Sequence, residues 1–371
     1  MNTIGTLLWF LIIISVVVIS HEFGHFIVAR RNRIRVIEFD VGMGPTLFHF
    51  TRKDTKFCLK ALPLGGACVF DGMEIDPEAL KKSEDSEELI DESTADIDVK
   101  GEKSFREASV WARIATVLAG PFFNFILAMI FALVIVSFCG SDLPIISGLT
   151  QGRPAAESGL SVGDTITKIN GERIHIWRDI TLISILNSGE DLKIEYIHEG
   201  KKLETVVTPS FDETENRYFI GIEGGNQYIK CKGLSLFKYS WYEIRFNFNN
   251  TLKSLFTLFR GKLSMDNVAG PVGIAEAVGD NYVAAKEYGL LSVILTMMNF
   301  AMLISVNLGV INLLPLPAID GGKLIFMLIE VVRGKPVPAE KEGIVHFIGI
   351  ILLFLLTIFI FFNDIMRLMG R

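Results

Sequence analysis

Three residues that can do metal and acid–base chemistry stand together inside the first apolar stretch of the chain. His21 and His25 are four residues apart, and Glu22 directly follows the first histidine. On an α-helix, side chains four residues apart lie on the same face. Two such imidazoles can hold one zinc ion, and the glutamate beside them can accept a proton from water. The motif predicts a zinc-dependent hydrolytic site with His21 and His25 as metal ligands and Glu22 as base.

A carboxylate far along the chain can complete this site. Asp320 follows Pro315 and Pro317, which end the helix before them. Irregular backbone inside a bilayer is tolerated where it lines a protein cavity, so Asp320 can lie at the depth of the histidines. Two histidines and one carboxylate leave a fourth position for water, as in catalytic zinc sites. A helix N-cap is the alternative role for Asp320, and the two roles are compatible.

Composition places these residues in a polytopic membrane protein. Hydrophobic residues make up 50% of the 371 residues, and four apolar stretches have the length of a membrane span. Three ionisable side chains in a five-residue stretch inside a membrane span are energetically costly, and residues of this kind usually have a function. The net charge of -6 argues against a nucleic-acid partner, and the four cysteines show no paired spacing. We predict transmembrane helices at residues 1–30, 111–139, 288–322 and 343–365.

The segments that join the predicted spans differ in character. Residues 31–70 contain strand-like runs separated by turns and predict a membrane-associated β-hairpin region, in which Pro63–Gly66 ends the last strand-like run. Residues 71–110 are acidic and predict a solvated cytosolic loop. Residues 141–228 alternate strand patterns and turns with two helix patterns, which indicates a soluble α+β domain. We predict a short helix within residues 152–160, a helix at Trp177–Leu186, and a hairpin formed by Leu192–His198 and Lys202–Thr208. Residues 229–287 predict an amphipathic interfacial helix and a linker, and residues 323–342 a second cytosolic loop.

Basic residues predict the orientation of the chain in the membrane. One cluster follows the first span, and a second group lies between the last two spans: Arg30, Arg31, Arg33, Arg35, and Lys323, Arg333, Lys335, Lys341. Cytosolic loops carry an excess of lysine and arginine, so both segments are expected in the cytosol. Four spans then place both termini and residues 141–228 outside. The two histidines and Asp320 come out on the same side, as a shared metal requires.

The chain resembles the bacterial site-2 proteases of the RseP type along essentially its whole length. The resemblance rests on four runs: His-Glu-Phe-Gly-His at 21–25, Gly-Pro-Phe-Phe-Asn at 120–124, PAAESGLSVGDTITKINGERI at 154–174, and NLLPLPAIDGG at 312–322. The third run resembles a PDZ domain of the circularly permuted bacterial kind. The implied fold is a four-span α-helical membrane protein with a membrane-associated β-hairpin region and one extracytoplasmic PDZ-like domain.

This resemblance implies a zinc intramembrane endopeptidase in the bacterial cytoplasmic membrane. Its substrates would be single-span membrane proteins, such as anti-sigma factors or remnant signal peptides, cut after a first cleavage outside. The implied zinc ligands are His21, His25 and Asp320, with Glu22 as the catalytic base. Four residues are implied to bind the substrate backbone: Asn307, Asn312, Gly65 and Gly66. The PDZ-like domain would bind a peptide or substrate segment, or exclude bulky ectodomains.

Two other functions remain open from the sequence. One is a catalytically silent membrane scaffold that binds partners through the PDZ-like domain, which the complete set of candidate ligands disfavours. The other is a membrane metalloprotease whose third ligand is a glutamate on another helix. The Asn-x-x-Pro-x-Pro-x-x-Asp-Gly segment ending at Gly321 disfavours it.

Overall fold

The computed structural model describes residues 3–72, 101–187, 189–213, 217–260 and 270–369. The chain divides into two compact units, one formed by Met1–Ala128 with Met265–Arg371 and the other by Met129–Ser264. Most of the predicted acidic loop, residues 73–100, lies outside the described residues.

The helices, in chain order, are α1 Thr3–Arg31, α2 Val110–Cys139, α3 Pro154–Glu157, α4 Trp177–Leu186, α5 Leu234–Phe259, α6 Pro271–Lys286, α7 Leu290–Asn312, α8 Asp320–Arg333 and α9 Ala339–Met369. The strands are β1 Val36–Arg52, β2 Thr55–Phe70, β3 Ser141–Asp142, β4 Ile146–Leu149, β5 Thr165–Ile169, β6 Glu172–Arg173, β7 Leu192–His198, β8 Lys201–Val207, β9 Ser210–Asp212, β10 Arg217–Phe219, β11 Ile222–Gly224 and β12 Tyr228–Ile229.

Four of the helices in the described residues are long and apolar enough to cross a membrane. They are α1 from Gly5, α2, α7, and α9 as far as Met366. All four fall on the stretches from which spans were predicted. Helices α1 and α2 approach closely because α1 carries Gly24 at the contact, where a Cβ would collide with the Ala119 carbonyl oxygen.

The segment between α7 and α8 folds back on itself. Helix α7 ends at Asn312, and α8 starts at Asp320 after the two prolines. A Cβ at Gly321 would collide with the carbonyl oxygen of Leu314, and one at Gly322 with that of Leu316. The paired glycines therefore let the start of α8 pack directly on the backbone of the loop before it.

The β-hairpin region is longer and more bent than the sequence indicates. Phe39 pairs with Cys68 on one side and with Phe57 on the other, so the two long strands fold into a sheet of four short segments. The prediction that the strand-like runs end at Pro63–Gly66 is wrong, because β2 continues to Phe70, the last residue of the predicted region. Gly65 has φ of 80°, a conformation that glycine adopts without strain and that allows the strand to bend and continue.

Next to this sheet lies a small apolar core. It joins the end of α1, both strands, the start of α2 and the middle of α8 through Ala29, Ile34, Val36, Phe70, Phe105, Ala108, Ile114, Val117 and Met327. Phe70 stacks on Phe105 with ring centroids 5.4 Å apart. This core fixes the β-region against the ends of the helices that carry the candidate site.

Helix α6 lies inside the predicted linker of residues 229–287. The run Gly270-Pro271-Val272-Gly273 resembles a break, yet α6 starts there with Pro271 in its first turn, where its missing N–H is tolerated. The buried Asp364 carboxylate on α9 accepts hydrogen bonds from Gly270 N at 3.2 Å and Gly273 N at 3.0 Å. That cap comes from a residue about ninety positions away, so the local sequence does not reveal it.

The second unit contains a four-stranded sheet in the order β6-β5-β7-β8. Alternate residues of β7 are buried, as expected for a strand with one face on a core. Helix α4 and strand β7 lie at the residues where the sequence predicted them, Trp177–Leu186 and Leu192–His198. The apolar core of this unit includes Ile146, Ile166, Ile169, Ile180, Leu192 and Ile194.

Candidate metal centre

Helix α1 presents both histidine rings to one buried point. His21 and His25 are each only 6% exposed, and their Nε2 atoms lie 3.1 Å apart. Asp320, at the first turn of α8, places its Oδ2 atom 3.0 Å from His21 Nε2 and 3.2 Å from His25 Nε2. The structure thus brings together three donors that the sequence separates by almost three hundred residues, all within 4.8 Å of one another.

The environment of Asp320 fits a bound cation. Its Oδ2 atom is buried and, among the described residues, faces only the two Nε2 atoms, which cannot donate to it when they turn their lone pairs to a metal. A buried carboxylate oxygen without a donor is costly unless a positive charge neutralises it. The donor set of two imidazole nitrogens and one carboxylate oxygen suits zinc and leaves a fourth position open.

Helix α2 supplies the partners that orient the imidazoles. His25 Nδ1 lies 2.8 Å from the carbonyl oxygen of Thr116, which can only accept a hydrogen bond. Nδ1 therefore carries the proton, and Nε2 turns its lone pair to the centre.

Asn124 can play the same part for His21 when its amide oxygen faces the ring. Its Nδ2 atom lies 3.2 Å from His21 Nδ1, while its Oδ1 atom is buried and unpartnered among the described residues. Rotating the amide by 180° would let Oδ1 accept a hydrogen bond from His21 Nδ1 and would satisfy both groups. The Nε2 lone pair of His21 would then also point to the centre.

Gly120 leaves the space that an ion needs. A Cβ at this position would collide with His25 Nε2 and would lie 2.7 Å from His21 Cε1. Sequence analysis did not identify this role, although a Gly-Pro pair inside an apolar span was visible. Nothing in the spacing shows that this glycine faces the two imidazoles.

Glu22 is half-buried on α1 beside the three ligand candidates. Within the described part of the chain, its carboxylate makes no hydrogen bond or ion pair. The backbone of β2 passes close to it, because a Cβ on Gly66 would lie 3.3 Å from Glu22 Cγ. The seryl Oγ of Ser15 also donates to the carbonyl oxygen of Pro63 at 2.6 Å, so the 63–66 segment runs along α1.

The other predicted substrate-binding residues lie at different distances from the centre. Asn312 Nδ2 is 3.3 Å from His21 Nε2. Asn307 is half-buried on the same helix, five residues earlier. Gly65 faces β1, where a Cβ would lie 2.7 Å from the sulfur of Met43. The structure therefore brings Asn312 to His21 and Gly66 to Glu22.

A second group of donor types, formed by Glu38, Asp40 and Cys58, occurs in the described part of the β-region. The Lys60 ammonium already pairs with Asp40 and lies 3.9 Å from Glu38. Burial, with Glu38 beside it, raises the pKa of the Cys58 thiol to about 11. A protonated thiol is a poor metal ligand, so this group is better explained as a lysine–carboxylate cluster.

Comparison with known proteins decides the family. The model of peptidase family M50 matches residues 9–356. The chain belongs to peptidase family M50. Zinc metalloprotease RasP of Geobacillus kaustophilus is 31% identical over 99% of both chains, and the regulator of sigma-W protease RasP of Bacillus subtilis is 32% identical over 98% of this chain and 99% of that one.

This M50 member is a zinc metalloprotease of the site-2 type with apolar helices that suit a membrane, as the sequence predicted. A solved PDZ domain of the SdrC-like protein from Listeria innocua is 25% identical, covers 24% of this chain and 98% of that domain, and has a TM-score of 0.21.

Proposed function

We propose that this M50 protease hydrolyses peptide bonds inside the transmembrane segments of single-span membrane proteins. His21, His25 and Asp320 hold the zinc ion, and Glu22 is the catalytic base. The observation that carries the proposal is the meeting of these three donors at a buried point among apolar helices. The sigma-W regulator named among the relatives supports a substrate that controls a sigma factor.

The zinc ion and Glu22 have separate roles in the proposed hydrolysis. Bound zinc supplies Lewis acidity for attack on a peptide carbonyl. Glu22 accepts the proton of the attacking water and returns it to the leaving amine. The absence of a hydrogen bond at its carboxylate within the described residues leaves it available for both transfers.

A free strand edge beside Glu22 supports a way of presenting the substrate. The carbonyl groups of a transmembrane helix are already hydrogen-bonded, so the substrate must unwind before it is cut. Residues 66–70 pair with residues 36–41 on one side, and no described strand pairs with their other edge. An extended substrate can add there as a further strand, with Gly65 and Gly66 allowing close approach and Asn307 and Asn312 bonding its backbone.

We also propose that the chain lies in the bacterial cytoplasmic membrane with both termini and the PDZ-like unit outside. The basic cluster Arg30–Arg35 at the end of α1 and the basic residues between the apolar helices α7 and α9 support this orientation. The PDZ-like unit contains a cavity of about 470 Å³ between α4 and β11, lined in part by Thr181 and Ser184. That shape suits an extended peptide, and the unit as a whole would hinder substrates that keep a bulky ectodomain.

A comparison of two glutamine variants tests the assigned base. Purified wild type, Glu22→Gln and Glu340→Gln, an exposed control at the start of α9, are reconstituted with a trimmed single-span substrate. We expect one zinc per chain in all three and cleavage in wild type and Glu340→Gln only. Cleavage by Glu22→Gln would refute the base, and a wild type without zinc or activity would favour the silent scaffold.

A further inference from the structure

One side chain of α9 binds the loop that carries the third ligand candidate. His346 Nδ1 accepts a hydrogen bond from the backbone N–H of Ala318 at 2.9 Å. Because Nδ1 accepts, the ring proton is on Nε2, which is buried and has no hydrogen-bond partner among the described residues. The hydrogen bond to Ala318 is the short polar contact of this ring among the described residues, and the Glu342 carboxylate lies further away, 3.9 Å from Nε2.

The residue that His346 binds has an unusual backbone conformation. Ala318 has φ of 74°, the left-handed region that side-chain-bearing residues adopt only when their surroundings enforce it. Its N–H would otherwise lack a partner among the described residues, at the half-buried turn that joins the two prolines to α8. The imidazole supplies the missing acceptor and so favours this turn over less strained alternatives.

A second contact from α9 restrains the same turn. Gly349 lies one helical turn after His346, and a Cβ there would come within 3.0 Å of the carbonyl carbon of Pro317 and 3.1 Å of its oxygen. The helix therefore meets Pro317 through a glycine and Ala318 through an imidazole. These contacts fix the backbone two and three residues before Asp320.

The position of this turn determines the position of Asp320, because the start of α8 is bonded to the turn and packed tightly against it. The N–H of Gly322 donates to the carbonyl oxygen of Ile319 at 3.0 Å. Any Cβ at Gly321 or Gly322 would collide with the loop backbone, so the start of α8 is packed directly on the turn. A displacement of Ala318 must move Asp320 with it.

We propose that His346 is a positioning residue that holds the Asp320 carboxylate at the metal through the backbone of Ala318. This inference rests on the ligand set given under Proposed function. Losing an outer partner of a metal ligand typically weakens metal binding or activity by about 10- to 100-fold. We expect the same range when the acceptor on α9 is removed.

Two amide variants distinguish the effect of the hydrogen-bond acceptor at Nδ1 from the effect of the size of the ring. In His346→Asn, the Oδ1 atom can occupy the position of Nδ1 and still accept from Ala318. In His346→Gln, the amide lies one bond further out, near the position of Nε2. His346 lines a cavity of about 740 Å³, so both side chains fit without overpacking. His346→Leu removes every acceptor.

The experiment measures zinc affinity of the full chain in nanodiscs by chelator competition, with visible absorption of the cobalt-substituted protein as a second readout. We expect His346→Asn to stay within about threefold of wild type, and His346→Gln and His346→Leu to bind zinc about 10- to 100-fold more weakly with altered cobalt spectra. Equal affinity of the Asn and Gln variants overturns the proposal, even if His346→Leu fails to fold.

Asp320→Ala distinguishes a failure of this inference from a failure of the proposed function. If Asp320→Ala keeps the zinc affinity of wild type, the ligand set itself is wrong. If Asp320→Ala loses zinc while His346→Gln keeps it, only the role of His346 is wrong.

Discussion

At the scale of single residues, the hydrogen bond between Asn124 and His21 leads to a test of imidazole orientation. Asn124→Leu removes the group that fixes which ring nitrogen of His21 faces the ion. We expect zinc affinity to fall about 10- to 100-fold, as measured by chelator competition. Asn124→Asp keeps an acceptor at His21 Nδ1 and should bind zinc within about threefold of wild type. Equal losses in both variants would show that Asn124 acts through helix packing.

Gly120 gives a steric prediction at the same scale. Gly120→Ala places a methyl group where it collides with His25 Nε2, so it should lower zinc affinity at least about 100-fold, since both histidines must move. The matched control is Gly309→Ala on α7, where a Cβ meets a Phe125 ring at 3.2 Å and only that ring must shift. If both variants bind zinc equally well, the space beside Gly120 is not needed for the ion.

Residue chemistry decides which parts of the site the sequence can reveal. His21, His25 and Asp320 stand out because ionisable side chains in apolar spans are rare and costly. The Thr116 carbonyl and the Gly120 cavity do not stand out, because any residue has a carbonyl and glycine is common in membrane helices. Their roles depend on which backbone atoms meet across α1 and α2, and motif spacing does not contain that information.

At the scale of elements, the edge of the β-region can be tested at Gly66. Gly66→Ala puts a Cβ 2.9 Å from the Asp40 carbonyl oxygen and 3.3 Å from Glu22 Cγ, so the strand or the base must shift. We expect kcat for a trimmed substrate to fall about 10- to 100-fold, because small misplacements of reacting groups are costly. Zinc affinity should stay unchanged, since Gly66 contacts none of the ligand candidates. Loss of zinc in Gly66→Ala would contradict this placement, and Ala67→Gly serves as the control.

A buried ion cluster connects α4 to α5 within the PDZ-like unit. Arg178 donates to Asp142 Oδ1 at 2.8 Å and also pairs with Glu243, and both carboxylates are buried. Burial raises the pKa of Glu243 even though Arg178 opposes the shift, so the charged form depends on that guanidinium. The cluster joins a helix predicted for the PDZ-like domain to one predicted for the membrane interface.

Arg178→Met therefore should loosen the attachment of α5 to α4 and β3 within the PDZ-like unit. Removing one partner of a buried ion pair costs about 3 kcal/mol, and here two carboxylates lose their cation. We expect faster backbone hydrogen exchange in α5, measured on the full chain by mass spectrometry. Arg178→Lys keeps the charge without the paired donors and should give a smaller increase. Unchanged exchange in Arg178→Met would mean that apolar contacts alone hold the helix.

At the scale of the whole molecule, local patterns predicted the four apolar helices and several of the helices and strands of the PDZ-like unit, such as α4 and β7. These sequence patterns were informative because the length of an apolar stretch and the alternation of apolar and polar residues directly reflect which residues are buried. They failed where distant residues decide the structure. Helix α6 depends on its cap from Asp364, and the extension of β2 past Gly66 depends on pairing with β1. These contacts join segments whose separation in sequence hides them.

The PDZ-like unit allows a deletion that tests its role in substrate choice. Strands β3 and β12 pair Ser141 with Ile229, so the two ends of residues 141–229 lie side by side and a short glycine–serine linker can replace them. If the unit excludes bulky ectodomains, the deletion should raise cleavage of an untrimmed substrate relative to a trimmed one by at least about tenfold. Such a change corresponds to about 1.4 kcal/mol of discrimination.

A variant that fills the groove separates exclusion by size from recognition of a peptide. Ser184→Trp places an indole in the cavity between α4 and β11 without changing the rest of the unit. Because a size filter needs bulk and not an open groove, we expect this variant to keep the cleavage ratio of wild type. If Ser184→Trp raises cleavage of the untrimmed substrate relative to the trimmed one as much as the deletion does, peptide binding in the groove selects the substrate. No change in either protein would assign substrate choice to the membrane helices and the β-region.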